Sequence, residues 1–238
     1  MKILVVGGSG GIGAAVTALL SADGHKVFFT YRLSLKKAQI LEKETGAKKI
    51  QYDFSSEASI AHLLKSVDSE AFDGLVYLAA EKFTRENILK LSAKAFLECM
   101  DQSVRGYYEV SQAFASAAKK RKGRGVIVNM LSSVVLGLPP AKQAGYVCAK
   151  YALLGLTKCQ AVEFGLFDVR VNSVSPSMTQ TSFNSDLPER FIEMYAESLP
   201  LRRLAAPAEV AHVIRFLVSP EASYLQGVNI PVSGGTAC

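Results

Sequence analysis

The sequence contains no long apolar run. Along its 238 residues, no continuous apolar stretch approaches the roughly 18 residues that a membrane-spanning helix needs. The opening apolar stretch is short, and it carries neither the basic flank nor the cleavage site of a signal peptide. We therefore expect a cytoplasmic protein that has no membrane partner.

Metal-binding and disulfide patterns are also missing. The chain has four cysteines and three histidines: Cys99, Cys148, Cys159, Cys238, His25, His62 and His212. The cysteines show no paired close spacing, which argues against a zinc site or a disulfide framework and favours free thiols. No histidine has a second one four residues further on, so each is interpreted as a surface or packing residue. We expect no metal.

The charge balance is positive, formally +6, and much of the excess lies in the basic run Lys119–Arg124. Such a run is usually a solvated helix end and loop, because Lys and Arg suit a helix C-terminus. It would otherwise attract an anionic partner, either a nucleic acid or an acidic carrier protein. No aromatic residue is interleaved with the run, which disfavours stacking on single-stranded nucleic acid. We expect no nucleic-acid partner.

Strand-like apolar runs alternate with helical stretches along the chain. The strands are predicted at 3–6, 26–30, 49–52, 74–79, 126–131, 168–174 and 228–232, and the helices near 11–23, 34–45, 56–68, 92–120, 144–164 and 207–218. Several strands are continuously apolar, as in a parallel sheet buried on both faces. We expect an α/β fold, a single Rossmann-type domain over 1–238 with a doubly wound parallel sheet of about seven strands flanked by helices.

About thirty residues, 175–206, interrupt this alternation after the sixth predicted strand. Insertions at the carboxyl end of a strand are where such folds place lids over ligands. A packed surface excursion is the alternative interpretation, and the sequence favours neither.

A glycine-rich turn joins the first strand to the first helix. Gly7, Gly11 and Gly13 give the spacing Gly-x-x-x-Gly-x-Gly. A backbone without side chains lets a pyrophosphate approach the helix N-terminus, where free N–H groups and the helix dipole favour anions. Tight turns and helix caps also use glycine. We predict a dinucleotide site that includes Ser9 and Ile12 of the same turn.

Tyr146 and Lys150 lie four residues apart on a predicted helix, so their side chains share one face. A lysine ammonium favours a nearby phenolate and lowers the pKa of the tyrosine from its reference value of about 10. Tyr146 could then act as a general acid toward a carbonyl or as a general base toward an alcohol. A serine hydroxyl, that of Ser133, would complete the site for the developing oxyanion.

These residues resemble the short-chain dehydrogenase/reductase (SDR) family, and the 3-oxoacyl-(acyl carrier protein) reductases are the most similar group within it. The resemblance rests on Gly7-x-x-x-Gly11-Ile12-Gly13, Asp53, Ser133, Tyr146-x-x-x-Lys150, Asn172 and Pro176, and on the C-terminal Leu201-Arg202-Arg203-Leu204, Glu209-Val210-Ala211 and Gly227 with Ser233-Gly234-Gly235. It covers essentially the whole chain.

The resemblance assigns roles to the catalytic residues. It implies that Tyr146 is the acid/base, that Ser133 orients the substrate carbonyl, and that Lys150 binds the nicotinamide ribose and lowers the pKa of Tyr146. Ser132 is a rival to Ser133, because its distance from Asn129 also suits the family's strand. The spacing to Tyr146 favours Ser133.

The resemblance also implies a set of cofactor contacts. Pro176, Thr179 and Thr181, after the sixth strand, are expected at the nicotinamide. Asp53, after the third strand, is expected at the adenine. Phe54 and Ala79 complete the predicted cofactor-binding residues.

The second strand ends without the carboxylate that binds the ribose 2′-hydroxyl in NAD enzymes. Arg32 follows it, with Lys36 and Lys37 close behind. Arginine suits a 2′-phosphate through bidentate charge-assisted hydrogen bonds. A solvated helix start is the alternative interpretation, and NADPH is favoured.

Four positions depart from the family pattern. They are Val6 in place of Thr, Tyr77-Leu78-Ala79-Ala80 in place of Asn-Asn-Ala-Gly, Ser103 in place of Asn, and Ser177 in place of Gly after Pro. In the family, that Asn helps to hold a water chain between Lys and Tyr. Serine has one hydroxyl where asparagine has an amide donor and an acceptor. Serine is also shorter, so we expect one of two outcomes: Ser103 takes part in an altered proton route with a water in the gap, or the route is impaired.

The resemblance implies an NADPH-dependent ketoreductase that acts on a carrier-bound 3-oxoacyl thioester in fatty-acid or polyketide-type assembly, with Lys119–Arg124 as a possible docking site for the carrier. A reductase or dehydrogenase of a free ketone or alcohol is the closest alternative. A non-catalytic NADP-binding scaffold or redox sensor is a further one. Family members are commonly tetramers, so a homotetramer or homodimer is expected by analogy.

Overall fold

Seven parallel strands form the centre of the molecule. They are β1 (Lys2–Val6), β2 (Lys26–Tyr31), β3 (Lys48–Gln51), β4 (Gly74–Tyr77), β5 (Gly125–Met130), β6 (Val169–Pro176) and β7 (Asn229–Val232). Their order across the sheet is β3-β2-β1-β4-β5-β6-β7. The computed structural model describes residues 1–80 and 83–236, so Cys238 lies outside the described residues.

Seven α-helices flank the sheet: α1 (Gly11–Ala22), α2 (Leu35–Thr45), α3 (Glu57–Glu70), α4 (Ala93–Lys120), α5 (Ala144–Gly165), α6 (Glu189–Ser198) and α7 (Pro207–Val218). Helices α3, α4 and α5 cover one face, and α1, α2 and α7 cover the other. The strands are continuously apolar because both faces are buried, as the fully buried run from Ile3 to Val6 shows. No helix among the described residues is long and apolar enough to cross a membrane.

The strand order reverses beside β1, which pairs with β2 on one side and with β4 on the other. In open parallel sheets, ligands bind at the carboxyl ends of the strands next to such a reversal. The carboxyl ends of β1, β4, β5 and β6 therefore place Val6, Tyr77, Met130 and Pro176 along one edge. This edge, called the carboxyl edge below, carries the candidate site.

The predicted fold class is confirmed, and most element bounds move by only one or two residues. The main difference lies in the 175–206 segment, where the sequence predicts no helix. A short 3₁₀ helix (Ser182–Asn184) and α6 form there, and none of their residues is buried. A parallel bridge between Thr179 and Ala205 joins the two ends of the segment. Helix α6 carries Phe191, Ile192 and Tyr195 on one face, but its ten residues make it too short for a secure prediction from periodicity.

Candidate active site

The glycine turn between β1 and α1 forms a close-packed cradle. Gly7 has a φ of +81°, which favours glycine, and a Cβ there would lie 2.7 Å from the Ala79 backbone nitrogen. A Cβ on Gly13 would lie 2.1 Å from the Gly7 carbonyl oxygen. Side chains are therefore excluded at both positions, and the turn leaves its backbone open to a ligand. This is the property that a pyrophosphate site requires.

Threonine side chains hold this cradle from two sides. Thr30 of β2 accepts a hydrogen bond from the Gly7 N–H at 2.8 Å, and its carbonyl oxygen accepts one from Ser9 N–H at 3.2 Å. Thr181 lies against the other side, since a Cβ on Gly11 would be 2.7 Å from its Cγ2. The structure thus brings the predicted cofactor residues Ser9 and Thr181 to one place, although they are far apart in sequence.

The first turn of α1, which contains Gly11, Ile12 and Gly13, points its N-terminus into the cradle. Within the described residues, no side chain caps this helix and no acidic residue lies in its first turn. The first N–H groups of a helix have no intrahelical partner, and the helix dipole makes this end positive. The cradle and the helix end together fit the pyrophosphate of a dinucleotide.

Arg32, Asp53 and Phe54 meet at the far end of the cradle, beside the ends of β2 and β3. The Arg32 guanidinium lies over the Phe54 ring, 5.4 Å from its centroid. Hydrogen bonds from Ser55 lower the pKa of the Asp53 carboxyl, and the Arg32 charge adds to this effect. The group combines a cation, which suits a 2′-phosphate, with an aromatic face and a carboxylate, which suit an adenine ring.

Residues after β6 close the opposite end of the cradle. Pro176 ends β6 and pairs with Val232 of β7. Thr179 is buried, and its hydroxyl donates to the Ser177 carbonyl oxygen at 3.1 Å. Asn184 donates to the Thr179 carbonyl oxygen at 3.0 Å, so the start of the 175–206 segment is locally ordered by hydrogen bonds. The predicted nicotinamide contacts therefore occupy the carboxyl edge, as expected.

The serine that contacts the phenol of Tyr146 is Ser132. The Ser132 side chain interacts with the Tyr146 phenol, and this interaction favours the phenolate. Ser132 also accepts a hydrogen bond from Val134 N–H at 3.4 Å as the cap of the 3₁₀ helix that begins at Ser133. The structure therefore favours Ser132, the rival that the sequence left open, over Ser133 as the serine beside Tyr146.

Lys150 is held beneath Tyr146 on the same face of α5. Its Nζ donates to the Met130 carbonyl oxygen at 2.9 Å and lies 5.7 Å from the centroid of the Tyr146 ring. The side chain is only 4% exposed, and burial lowers the pKa of its ammonium from 10.5 to about 8. An ammonium has three donors, and among the described residues only Met130 accepts one of them. The remaining donors suit ribose hydroxyls.

The pKa of Tyr146 is raised above 10.0, chiefly because burial disfavours the phenolate. The interaction with Ser132 and the charge of Arg85 oppose this effect, while Cys99 adds to it. The net shift is upward because the loss of solvation outweighs the favourable contacts. A lowering of this pKa by Lys150 therefore stays a prediction.

Helix α5 is fixed by buried hydrogen bonds to its neighbours. Asn129 of β5 donates to Thr157 at 3.2 Å. Tyr107 of α4 donates to Gln160 at 2.7 Å, and Gln160 donates to Ser111 at the same distance. These contacts hold the helix that carries Tyr146 and Lys150 against β5 and α4.

Comparison with known proteins agrees with this geometry. Residues 7–237 match the family model described as Enoyl-(Acyl carrier protein) reductase. The chain belongs to the short-chain dehydrogenase/reductase family. It is similar to the 3-oxoacyl-(acyl-carrier-protein) reductase FabG of Staphylococcus aureus, with 31% identity over 98% of this chain and 96% of that protein. The reductase MabA of Mycobacterium tuberculosis is 30% identical over 98% and 92% of the two chains.

A solved structure gives the same result. A short chain dehydrogenase/reductase family protein is 33% identical and superposes with a TM-score of 0.87, covering 99% of this chain and 96% of its own. The SDR assignment makes this chain an oxidoreductase that uses a nicotinamide cofactor.

This SDR chain fills the space of the missing Asn-Asn-Ala-Gly motif with a buried tyrosine. Tyr77 ends β4 and packs edge-to-face against Tyr107, with ring centroids 5.4 Å apart. A Cβ on Gly106 of α4 would lie 2.6 Å from the Tyr77 hydroxyl and 3.0 Å from the Tyr52 hydroxyl. Gly106 therefore makes room for the larger side chains. Ser103 lies one turn earlier on α4 and is half-buried.

The basic run Lys119–Arg124 lies at the amino edge of the sheet, where α4 ends and β5 begins. Tyr146 lies at the carboxyl edge, about 20 Å away along β5. Two of its cations form exposed ion pairs: Lys120 lies 3.3 Å from Asp68, and Arg124 lies 2.9 Å from Asp168. Arg121 donates to the Phe72 carbonyl oxygen. Docking of a carrier at this run stays a prediction, and the run is remote from Tyr146.

Proposed function

We propose that this chain is an NADPH-dependent ketoreductase that reduces a carrier-bound 3-oxoacyl thioester to the 3-hydroxyacyl form, in fatty-acid or polyketide-type assembly. The observation that carries the proposal is that Ser132 and Lys150 meet at the phenol of Tyr146, with Lys150 Nζ 5.7 Å from its ring centroid. Two hydroxyls that converge on one point suit a carbonyl oxygen that becomes an alkoxide. The names of the FabG and MabA relatives support the substrate class.

The residues divide the chemistry between them. Tyr146 has a raised pKa, so it is protonated at neutral pH and can give its proton to the developing alkoxide. Ser132 orients the carbonyl by a hydrogen bond, and Lys150 holds the nicotinamide ribose and returns a proton toward Tyr146. Ser103 supports this proton route from α4. When bound, the reduced nicotinamide supplies the hydride.

NADPH is the proposed cofactor because of the residues after β2. Arg32 occupies the place where an NAD enzyme carries a carboxylate, and its guanidinium is already oriented over Phe54. Lys36 and Lys37 are exposed beside it. A 2′-phosphate would gain charge-assisted hydrogen bonds there.

The chain is proposed to be one SDR domain over 1–238, with 175–206 as the substrate lid. The lid contacts the cradle through Thr181, and none of the residues of its helix α6 is buried.

We further propose a homotetramer or homodimer, because α4 and α5 expose the apolar side chains of Tyr108, Tyr151 and Val162. The three described cysteines are free thiols, which suits a cytoplasmic location.

The decisive experiment measures NADPH oxidation at 340 nm with purified protein. The substrates are acetoacetyl-carrier protein, acetoacetyl-CoA, crotonyl-CoA and a panel of small free ketones. We expect turnover of both acetoacetyl thioesters, a higher kcat/KM for the carrier-bound one, and no reduction of crotonyl-CoA. Tyr146→Phe should lose almost all of this activity while keeping NADPH affinity, since its hydroxyl is the acid.

Each other result has a defined meaning. Turnover that survives in Tyr146→Phe refutes the mechanism. Preference for a free ketone identifies the alternative reductase, and reduction of crotonyl-CoA identifies a C=C reductase. Tight NADPH binding without turnover on any substrate identifies the non-catalytic NADP-binding scaffold.

A parallel assay tests the cofactor assignment. Arg32→Glu should lower kcat/KM for NADPH by about 10- to 100-fold, the effect of one hydrogen bond to a charged group. An unchanged value refutes the assignment of NADPH.

A further inference from the structure

An aromatic ring outside the predicted site covers the phenol of Tyr146. Phe83, in the loop between β4 and α4, stacks on Tyr146 with ring centroids 4.2 Å apart and an interplanar angle of 16°. Lys150 lies 5.7 Å from the centroid of the same Tyr146 ring. The orientation of the phenol is therefore set by Phe83 as well as by its own helix.

Phe83 is in turn held by the lid. Phe183 of the lid lies 6.4 Å from Phe83, centroid to centroid, at an angle of 47°. Arg85 places its guanidinium over the Phe83 ring at 5.1 Å and forms an ion pair with Asp186 of the lid. Asp186 is thus connected to Tyr146 through Arg85 and Phe83. We call these three residues, Asp186, Arg85 and Phe83, the lid contact chain.

We propose that Phe83 is a positioning residue, and that the lid contact chain transmits docking of the lid to Tyr146. When Asp186 pairs with Arg85, the Phe83 ring is fixed on Tyr146, and the phenol hydroxyl is held toward Ser132. When the pair is broken, Phe83 loses its support and the phenol becomes wetter and less well oriented. Catalytic competence is therefore coupled to lid closure. This inference rests on the proposed function for its kinetic readout alone.

The surroundings of Tyr146 support a solvation readout. The titratable and charged groups that face it are Lys150 on α5, Arg85 on the loop, and Cys99 on α4. A cavity of about 130 Å³ adjoins Tyr146 and Phe83 and is also lined by Glu98 and Gln102. Water from this cavity would reach the phenol if the Phe83 ring were removed. Better solvation of the phenolate lowers the pKa of a tyrosine.

The first test titrates Tyr146 directly. The chain has nine tyrosines, so the signal is the ultraviolet difference between each protein and the same protein carrying Tyr146→Phe. We expect Phe83→Ala to move the Tyr146 midpoint to lower pH by about one pH unit, and Phe83→Tyr, which keeps the ring, to restore the wild-type midpoint. A midpoint that is unchanged in Phe83→Ala, in a protein with native circular dichroism, overturns the proposal.

The second test follows the lid. Arg85→Gln and Asp186→Asn each remove one member of the ion pair, and Arg190→Gln removes an exposed charge of α6 as a control. We expect faster hydrogen exchange over residues 182–198 in Arg85→Gln and in Asp186→Asn, and an unchanged rate in the control. Equal exchange in all four proteins overturns the coupling.

The third test is kinetic and needs an active enzyme. Phe83→Ala should lower kcat by about 10- to 100-fold, leave KM for NADPH within about twofold, and move the alkaline limb of the kcat profile to lower pH. The double variant Arg85→Gln/Asp186→Asn should be no slower than the slower single variant, because both act through one contact. Additive losses contradict the lid contact chain. If the wild type turns over no ketone, the proposed function fails, and the titration and exchange tests still decide this inference.

Discussion

Lys150 donates a hydrogen bond from its Nζ to the backbone carbonyl oxygen of Met130, over 2.9 Å. Met130 is the last residue of β5, and Lys150 lies one helical turn after Tyr146 on α5. The contact therefore joins the end of a sheet strand to the helix that carries the acid. It buries an ammonium group whose pKa falls to about 8.

The burial of Lys150 predicts a pH-dependent stability. Between pH 8 and 10.5, an unfolded chain binds a proton at this lysine that the folded chain does not hold, so the free energy of unfolding rises with pH there. The contribution is at most about 3 kcal/mol and is lost as the pH falls through 8. Urea unfolding of the wild type and of Lys150→Met should give a stability difference that grows in favour of the wild type across this window. A difference independent of pH contradicts the assignment.

The two adjacent serines should differ sharply in their effect on catalysis. Ser132→Ala removes the hydroxyl that interacts with Tyr146, and we expect kcat to fall by about 100- to 1,000-fold, the usual effect of losing an oxyanion donor. Ser133→Ala is the matched control and should change kcat by less than about tenfold. Steady-state kinetics with acetoacetyl-CoA measures both. The opposite ranking would return the role to Ser133.

Two glycines of the cradle form a matched pair for nucleotide binding. A Cβ on Gly13 would lie 2.1 Å from the Gly7 carbonyl oxygen, whereas a Cβ on Gly10 would meet nothing within 4 Å. We expect Gly13→Ala to weaken NADPH binding by more than about tenfold and to lower the Tm, because the turn must open. Gly10→Ala should keep the wild-type Kd within about threefold, since its Cβ meets open space. Isothermal titration calorimetry decides, and equal effects at the two positions would refute the cradle geometry.

Arg170 is predicted to support α7 and not catalysis. Its guanidinium donates to the carbonyl oxygens of Leu217, Ala222 and Ser219 at 2.9, 3.0 and 3.2 Å, at and just beyond the C-terminus of α7. Arg170→Met leaves these acceptors unpaired and should lower the free energy of unfolding by about 2–4 kcal/mol. Arg170→Lys should recover part of the loss through its charge. Chemical denaturation measures the effect, and a fall in kcat without a loss of stability would contradict this role.

The sheet and its order of elements could be read from the sequence because parallel strands buried on both faces are continuously apolar. The glycine turn could also be predicted from the sequence. Only glycine fits at Gly7 and Gly13, because a Cβ at either position would clash with the backbone. The pairing of Tyr146 with Lys150 follows from helical periodicity alone. Each of these features depends on neighbours in the chain.

Contacts between loops could not be predicted from the sequence. Arg85 and Asp186 lie 101 residues apart, and neither belongs to a periodic element, so no spacing rule brings them together. The choice between Ser132 and Ser133 depended on where β5 stops and the 3₁₀ helix begins, a boundary that propensity does not resolve.

The parallel α/β fold, the glycine cradle and the Tyr146–Lys150 pair follow from the chain's own patterns, because they depend on local backbone geometry and on the periodic burial of apolar residues. Three other properties emerge only in the folded protein: Ser132 meets the phenol, burial raises the pKa of Tyr146, and Phe83 covers its ring. These three properties arise from solvent exclusion and from contacts between distant loops. They exist only after the strands have brought those loops to one edge of the sheet.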